Sequence, residues 1–148
     1  MRRGGMEQNE GMNIPIYPRA EDLVLLMNSL VDVIGRGSAG ILYNFGKQLA
    51  EKYYRGMNIP EDLDPNAVFK NILSSMMFSD WFTKMGIERE GGFVVTLRDV
   101  FELNANEDSC NFIRGFLAGL SSSIYRRTYI CKEQRDPDNV CRFTLIER

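Results

Sequence analysis

The stretch Ser109-Cys-Asn-Phe-Ile-Arg-Gly-Phe-Leu-Ala-Gly-Leu-Ser-Ser-Ser-Ile-Tyr125, followed by Thr128-Tyr-Ile-Cys-Lys-Glu133 and Val140-Cys-Arg-Phe-Thr-Leu-Ile146, switches its apolar period partway along. Phe112, Ile113, Phe116, Leu117, Leu120 and Ile124 recur at helical steps, and Asp108 or Ser109 is placed to cap that helix. Residues 128–133 and 140–146 alternate with a period of two across Gln134-Arg-Asp-Pro137-Asp-Asn139, a turn-forming set, which predicts a hairpin. A helix laid against antiparallel strands is the nucleus of an α+β domain.

Working toward the N-terminus, residues 81–88 and 93–101 alternate on either side of Glu90-Gly91-Gly92, whose glycine pair suits a tight turn, so a first hairpin is expected there. Three helices precede it. One starts at Arg19 and carries Leu23, Leu26, Met27, Leu30 and Ile34, with Val24, Leu25 and Val31 widening the stripe. The next starts at Ser38 as N-cap, carries Ile41, Leu42, Phe45, Leu49 and Tyr53, and ends near Gly56. The third opens on Asp64-Pro65, an acceptor at N-cap followed by the residue that needs no N–H at N1. The expected architecture is therefore N-terminal helices packed on a roughly four-stranded antiparallel sheet, in one domain over 19–148 with a loosely ordered lead-in over 1–18.

Composition narrows the chemistry. The 148 residues are 44% apolar with 18 basic and 20 acidic side chains, net −2, without a charge block to serve as a nucleic-acid footprint. Histidine is absent, which excludes Ser-His-Asp and Cys-His nucleophilic sites and every imidazole-ligated metal. The N-terminal Met-Arg-Arg-Gly-Gly lacks a following apolar region, and the longest apolar run is 23–27, so neither a secretory signal nor a membrane span is expected and the chain is placed in the cytoplasm.

Gly35-Arg-Gly37-Ser-Ala-Gly40 matches the dinucleotide fingerprint in letters, but it lies between two helical patterns and follows no strand. It reads as a helix–helix joint. Gly115 and Gly119 share one helix face and cost about 2 kcal/mol of propensity relative to alanine, so close packing, on the sheet or on the second helix, must offset them. The alternative is a smooth wall for a ligand cavity.

The three cysteines are an odd number and unsuited to a disulfide framework. If the last hairpin is symmetric about its Pro-Asp turn, Cys131 faces Cys141, and strand alternation puts Glu133 on the same face. Cys110 falls in the first turn of the preceding helix, where the macrodipole favours a thiolate. Cys110, Cys131, Cys141 and Glu133 then form a tetrahedral zinc site. Two other readings stand beside it: buried cysteines acting as small apolar side chains, and a Cys131–Cys141 disulfide. Phe78, Trp81, Phe82 and Phe101, where the third helix meets the first hairpin, are candidates to line an apolar ligand pocket, or else are ordinary core.

Cys110-Asn-Phe-Ile-Arg-Gly-Phe-Leu-Ala-Gly119, then Cys131, then Cys141-Arg-Phe143 resembles the C-terminal motif of the 4-vinyl reductase-like, or hydrocarbon-binding, domain family. Gly35-Arg-Gly-Ser-Ala-Gly-Ile-Leu-Tyr-Asn-Phe-Gly46 is similar to that family's second helix. The resemblance implies a fold shared with trafficking-complex subunits and with the sensor domains of aromatic-responsive transcription activators. It further implies a homodimer, formed here through the stripe Leu23, Leu26, Met27, Leu30 and Ile34, an internal pocket for apolar or phenolic ligands, and zinc on three cysteines and a glutamate. The family's glutamate three residues before the middle cysteine is Thr128 here, so Glu133 takes its place, and the usual glycine of the last turn is replaced by a longer turn at 135–139.

Three functions follow from these readings: a ligand-binding sensor or regulatory domain whose output passes through a partner protein, an accessory protein or enzyme in tetrapyrrole vinyl reduction, and a structural adaptor. The reductase reading requires a hydride donor from outside, because the sequence has no credible nicotinamide or flavin motif.

Overall fold

The computed structural model describes residues 15–89, 93–105 and 108–148. Among these, the chain runs α1 (Ala20–Ile34), a 3₁₀ turn (Gly35–Gly37), α2 (Ser38–Gly56), α3 (Pro65–Met77), β1 (Lys84–Glu88), β2 (Phe93–Arg98), a second 3₁₀ turn (Phe101–Asn104), α4 (Asn111–Tyr125), β3 (Tyr129–Asp136) and β4 (Val140–Glu147). The strands form one antiparallel sheet in the order β1-β2-β4-β3. This is the α+β architecture expected, with four helices among the described residues. The Gly91-Gly92 turn lies outside the described residues.

α4 is the centre of the molecule. Its side chains Phe112, Ile113, Phe116, Leu117 and Leu120 share one buried core with the sheet's inward row Val95, Leu97, Cys141, Phe143 and Leu145. One face of the helix meets α2 so closely that side chains are excluded from the joint. A Cβ on Gly115 would fall on the Tyr43 carbonyl, one on Gly119 on the Lys47 carbonyl, and one on Gly46 of α2 on the Phe112 carbonyl. The glycines therefore serve helix–helix packing, and it is the second helix that they face. The propensity lost at Gly115 and Gly119 is offset by contact between two helix backbones.

Asp64 caps α3, accepting from the Asn66 N–H at 3.4 Å with Pro65 at N1. Two other expected caps differ. Ser38 is the first residue of α2 and is buried, and the N-cap position falls on Gly37, because the 3₁₀ turn carries α1 almost without a break into α2. That turn is the helix–helix joint expected of the glycine fingerprint. At α4 the cap position is Cys110, and the first-turn N–H groups are taken by carboxylates from elsewhere in the chain.

The last hairpin has the expected strands and face but a different register. Cys131 pairs with Leu145, Glu133 with Phe143 and Arg135 with Cys141, so Cys131 does not face Cys141 and their disulfide is excluded. The reversal is made by Asp138 and Asn139, both left-handed at φ 64° and 60°, a conformation their short polar side chains tolerate. This moves the turn's centre from Asp136 to Asp138 and turns Arg135 and Asp136 into strand residues.

On α1, Leu23 and Met27 pack into the chain's own core, Leu30 is half-buried, and Leu26 and Ile34 remain exposed beside Leu25 and Val33. The stripe expected to form a dimer is thus split between two directions. The continuous helical stretch Ala20–Gly56 reaches a mean hydropathy of 1.2 over its most apolar 18 residues, enough by length and composition to cross a bilayer. Asp32 and Arg36 within the stretch would each cost roughly 2.5–3.5 kcal/mol near a bilayer centre, and Leu23 and Met27 are already packed inside the protein.

Candidate metal centre

Glu133 on β3 reaches across to the start of α4, where its Oε1 accepts the Cys110 backbone N–H at 2.7 Å. This single contact joins the two elements that carry the site. Cys141 enters from β4, one strand over, on the same inward face. The ligand atoms of Cys110, Glu133 and Cys141 all lie within 4.8 Å of one another. Both sulfurs are buried and the Glu133 side chain is 5% exposed.

Electrostatics in the cluster are concentrated on one thiol pair. A hydrogen bond between the two side chains, together with burial and the nearby Glu102 and Glu133 carboxylates, pushes the Cys110 thiol up. The same bond, helped by Arg135, lowers the Cys141 thiol against its own burial. The pair is thus asymmetric, with Cys110 as the donor and Cys141 as the acceptor that ionises the more readily. Two sulfurs and one carboxylate oxygen make a donor set of the kind that suits zinc, three of the four ligands of a tetrahedral site among the described residues.

Cys131 stands apart from this cluster. It lies on the same face of β3 but beside α4's Arg114, whose Nη1 donates to the Cys131 carbonyl at 3.1 Å. Burial pushes its thiol up, against the pull of Arg114, so it is a neutral core side chain. The sequence expectation of three converging sulfurs fails at this residue because the turn is centred two residues later than assumed.

Two residues that matter here escaped the sequence reading. Arg135 donates from Nε to Glu133 Oε2 at 2.9 Å and from Nη2 to Cys110 Sγ at 3.7 Å. Its position on the face of Cys131 and Glu133 was legible from strand alternation, but only if β3 was known to extend that far. Glu102, fully buried in the 3₁₀ turn after β2, accepts the Phe112 and Ile113 N–H groups at 2.8 and 2.9 Å. An acid between Phe101 and Leu103 carries no local signal of that role.

The aromatic residues divide sharply. Phe78 is 92% exposed and lines nothing with the others. Trp81, Phe82 and Phe101 are buried, with Trp81 tilted against Phe101 and edge-to-face with Phe112 and Phe116 at ring separations of 5.2–5.6 Å. Over this cluster lies the segment 15–19, which has no regular secondary structure but does join the core. Tyr17 packs on Tyr53 and Trp81 with both ring separations 5.4 Å, its hydroxyl is 3.3 Å from Ser75 Oγ, and Trp81 Nε1 donates to the Pro18 carbonyl at 2.8 Å. The sequence reading placed no core there.

No protein-family model matches the chain, and no curated protein sequence matches it significantly. Solved structures do. The phenol-responsive sensory domain of the transcription activator PoxR, with phenol, superposes at a TM-score of 0.65 and 16% identity, covering 88% of this chain and 75% of that one. A vinyl-4-reductase family protein from Methanocaldococcus jannaschii gives 0.55 and 17%, covering 96% and 87%. Subunit 3 of a trafficking protein particle complex from Naegleria fowleri, covalently bound to palmitic acid, gives 0.58 and 13%, covering 87% and 95%. Helices packed on a four-stranded antiparallel sheet in this arrangement are the fold that the vinyl-4-reductase, phenol-sensor and trafficking-subunit structures share, and this chain has that fold.

Proposed function

We propose that this chain is a ligand-binding sensory domain for small phenolic or apolar molecules, which works as a homodimer in the cytoplasm and carries zinc on Cys110, Glu133 and Cys141. The observation that carries the reading is the Tyr17 side chain. It is itself a phenol ring set among aromatic side chains, with its hydroxyl against Ser75. A free phenol satisfies the same contacts once the segment 15–19 moves aside. The likeness to a phenol-responsive domain over most of the chain supports this choice of ligand class. The zinc assignment is supported by the proximity of the three donors.

Trp81 is the chain's one tryptophan and lies at the floor of this site, so its emission reports occupancy directly. Titration of phenol and alkylphenols is expected to change Trp81 fluorescence saturably and to raise the melting temperature. No saturable change across the panel, with no thermal shift, would remove the sensor reading. A stable complex with another protein that is indifferent to these ligands would favour the adaptor instead.

A further inference from the structure

We propose that Arg135 is a displaceable counter-ion that holds the cysteine–glutamate site together in the metal-free chain and competes with the metal for it. The inference rests on the metal reading above and adds what regulates that site. Arg135 bonds to two members of the cluster and pairs across the strands with the third: Nε lies 2.9 Å from Glu133 Oε2, Nη2 lies 3.7 Å from Cys110 Sγ, and its backbone is the cross-strand partner of Cys141. With Glu133 Oε1 engaged by the Cys110 N–H, Oε2 is the carboxylate oxygen left for a cation. The guanidinium already has it.

Burial makes the competition strict. A carboxylate that is 5% exposed cannot be left without a positive partner, so in the absence of metal Arg135 has to stay. Its own side chain is 38% exposed, so it can swing outward into the open depression of about 510 Å³ that Asp108, Ser109, Lys132 and Glu133 border. A divalent ion arriving between the two sulfurs and Oε2 displaces the guanidinium and releases the protons still held by the thiols. The guanidinium and the metal cannot both hold Oε2, so Arg135 gives up that bond when the metal takes it and its half-exposed side chain moves toward solvent. The site therefore alternates between an arginine-closed and a metal-closed form, and Arg135 sets the metal concentration at which it changes.

The test is titration of the reduced full chain with Co²⁺, read by thiolate-to-cobalt charge-transfer absorption and by competition with a chelator. Arg135→Gln is expected to bind about ten-fold or more tightly than the unaltered chain, since losing the competing contacts is worth at least about one decade in affinity. Arg135→Lys, which keeps the charge but loses the fork, should fall between them. Cys110→Ser and Cys141→Ser should abolish the band and Cys131→Ser should keep it. Equal or weaker binding by Arg135→Gln, with the band present in the unaltered chain, overturns the role of Arg135 and leaves the metal site standing. No band in either chain, with both folded, overturns the metal reading and this proposal together. A second measurement needs no variant: modification of Arg135 by phenylglyoxal, followed by peptide mass, is expected to accelerate several-fold when Cd²⁺ is added. An unchanged rate in cadmium-loaded protein overturns the displacement.

Discussion

Glu102 shows how a single side chain can hold an element in place from a distance. Its two oxygens take two of the N–H groups that the first turn of α4 leaves without helical partners, in the place of a local cap. The charge also lies at the positive end of the helix dipole. Glu102→Gln keeps the shape but replaces one acceptor with an amide that faces a donor. A loss of about 1–3 kcal/mol is expected, the usual range for a buried group left mispaired. Urea unfolding followed at Trp81 measures it, and a loss below about 0.5 kcal/mol would mean that water caps the helix as well. Because Cys110 adjoins this turn, the same variant should also weaken Co²⁺ binding, whereas Cys131→Ser should not.

The joint between α2 and α4 admits a prediction whose sign depends on position. Gly115→Ala puts a methyl group on the Tyr43 carbonyl, and the helices have to separate. Overpacking of this kind costs about 1–3 kcal/mol, more than the helix propensity gained. Gly40→Ala, in the same pair of helices but with nothing within 4 Å of the added carbon, should stabilise by about 0.5–1 kcal/mol. Matched thermal melts of the two variants decide it, and a stable Gly115→Ala protein would show that the backbones do not touch. Much of this was legible in advance: the glycine spacing, the helix stripes, the Asp64-Pro65 start and the strand faces all follow from periodicity and local chemistry. The register of β3 on β4 was not, because a turn centred at Asp136 and one centred at Asp138 leave the same hydrophobic alternation, and the choice is made by left-handed backbone at Asp138 and Asn139. That one choice removed Cys131 from the site and brought in Arg135. Long-range contacts such as Glu102 with α4 are invisible to any local reading, since the two partners have no period in common.

Among the described residues, a run of apolar side chains is left uncovered along α1 and into α2. Leu25, Leu26, Val33, Ile34, Ile41 and Phe45 are all exposed there, Val33 to 82%. Scattered single residues would need no explanation, whereas six along one continuous helical stretch offer a surface for a partner. A second copy of the chain is the occupant we expect, as an isologous contact across a twofold axis, because one patch then covers another of the same kind. The buried half of the originally expected stripe, Leu23 and Met27, has no part in it. Leu25→Asp combined with Val33→Asp is expected to convert a two-chain species to a single chain in sedimentation at micromolar concentration, while leaving α1 folded, since neither side chain contacts the core. The unaltered chain should lose its dimer on dilution and not on addition of salt, as an apolar interface does. A single-chain mass for the unaltered protein at tens of micromolar would sink the dimer. If that protein instead bound neutral lipid vesicles through the same two positions, the patch would be a membrane-facing surface, and the sensor would report to a bilayer in place of a partner subunit.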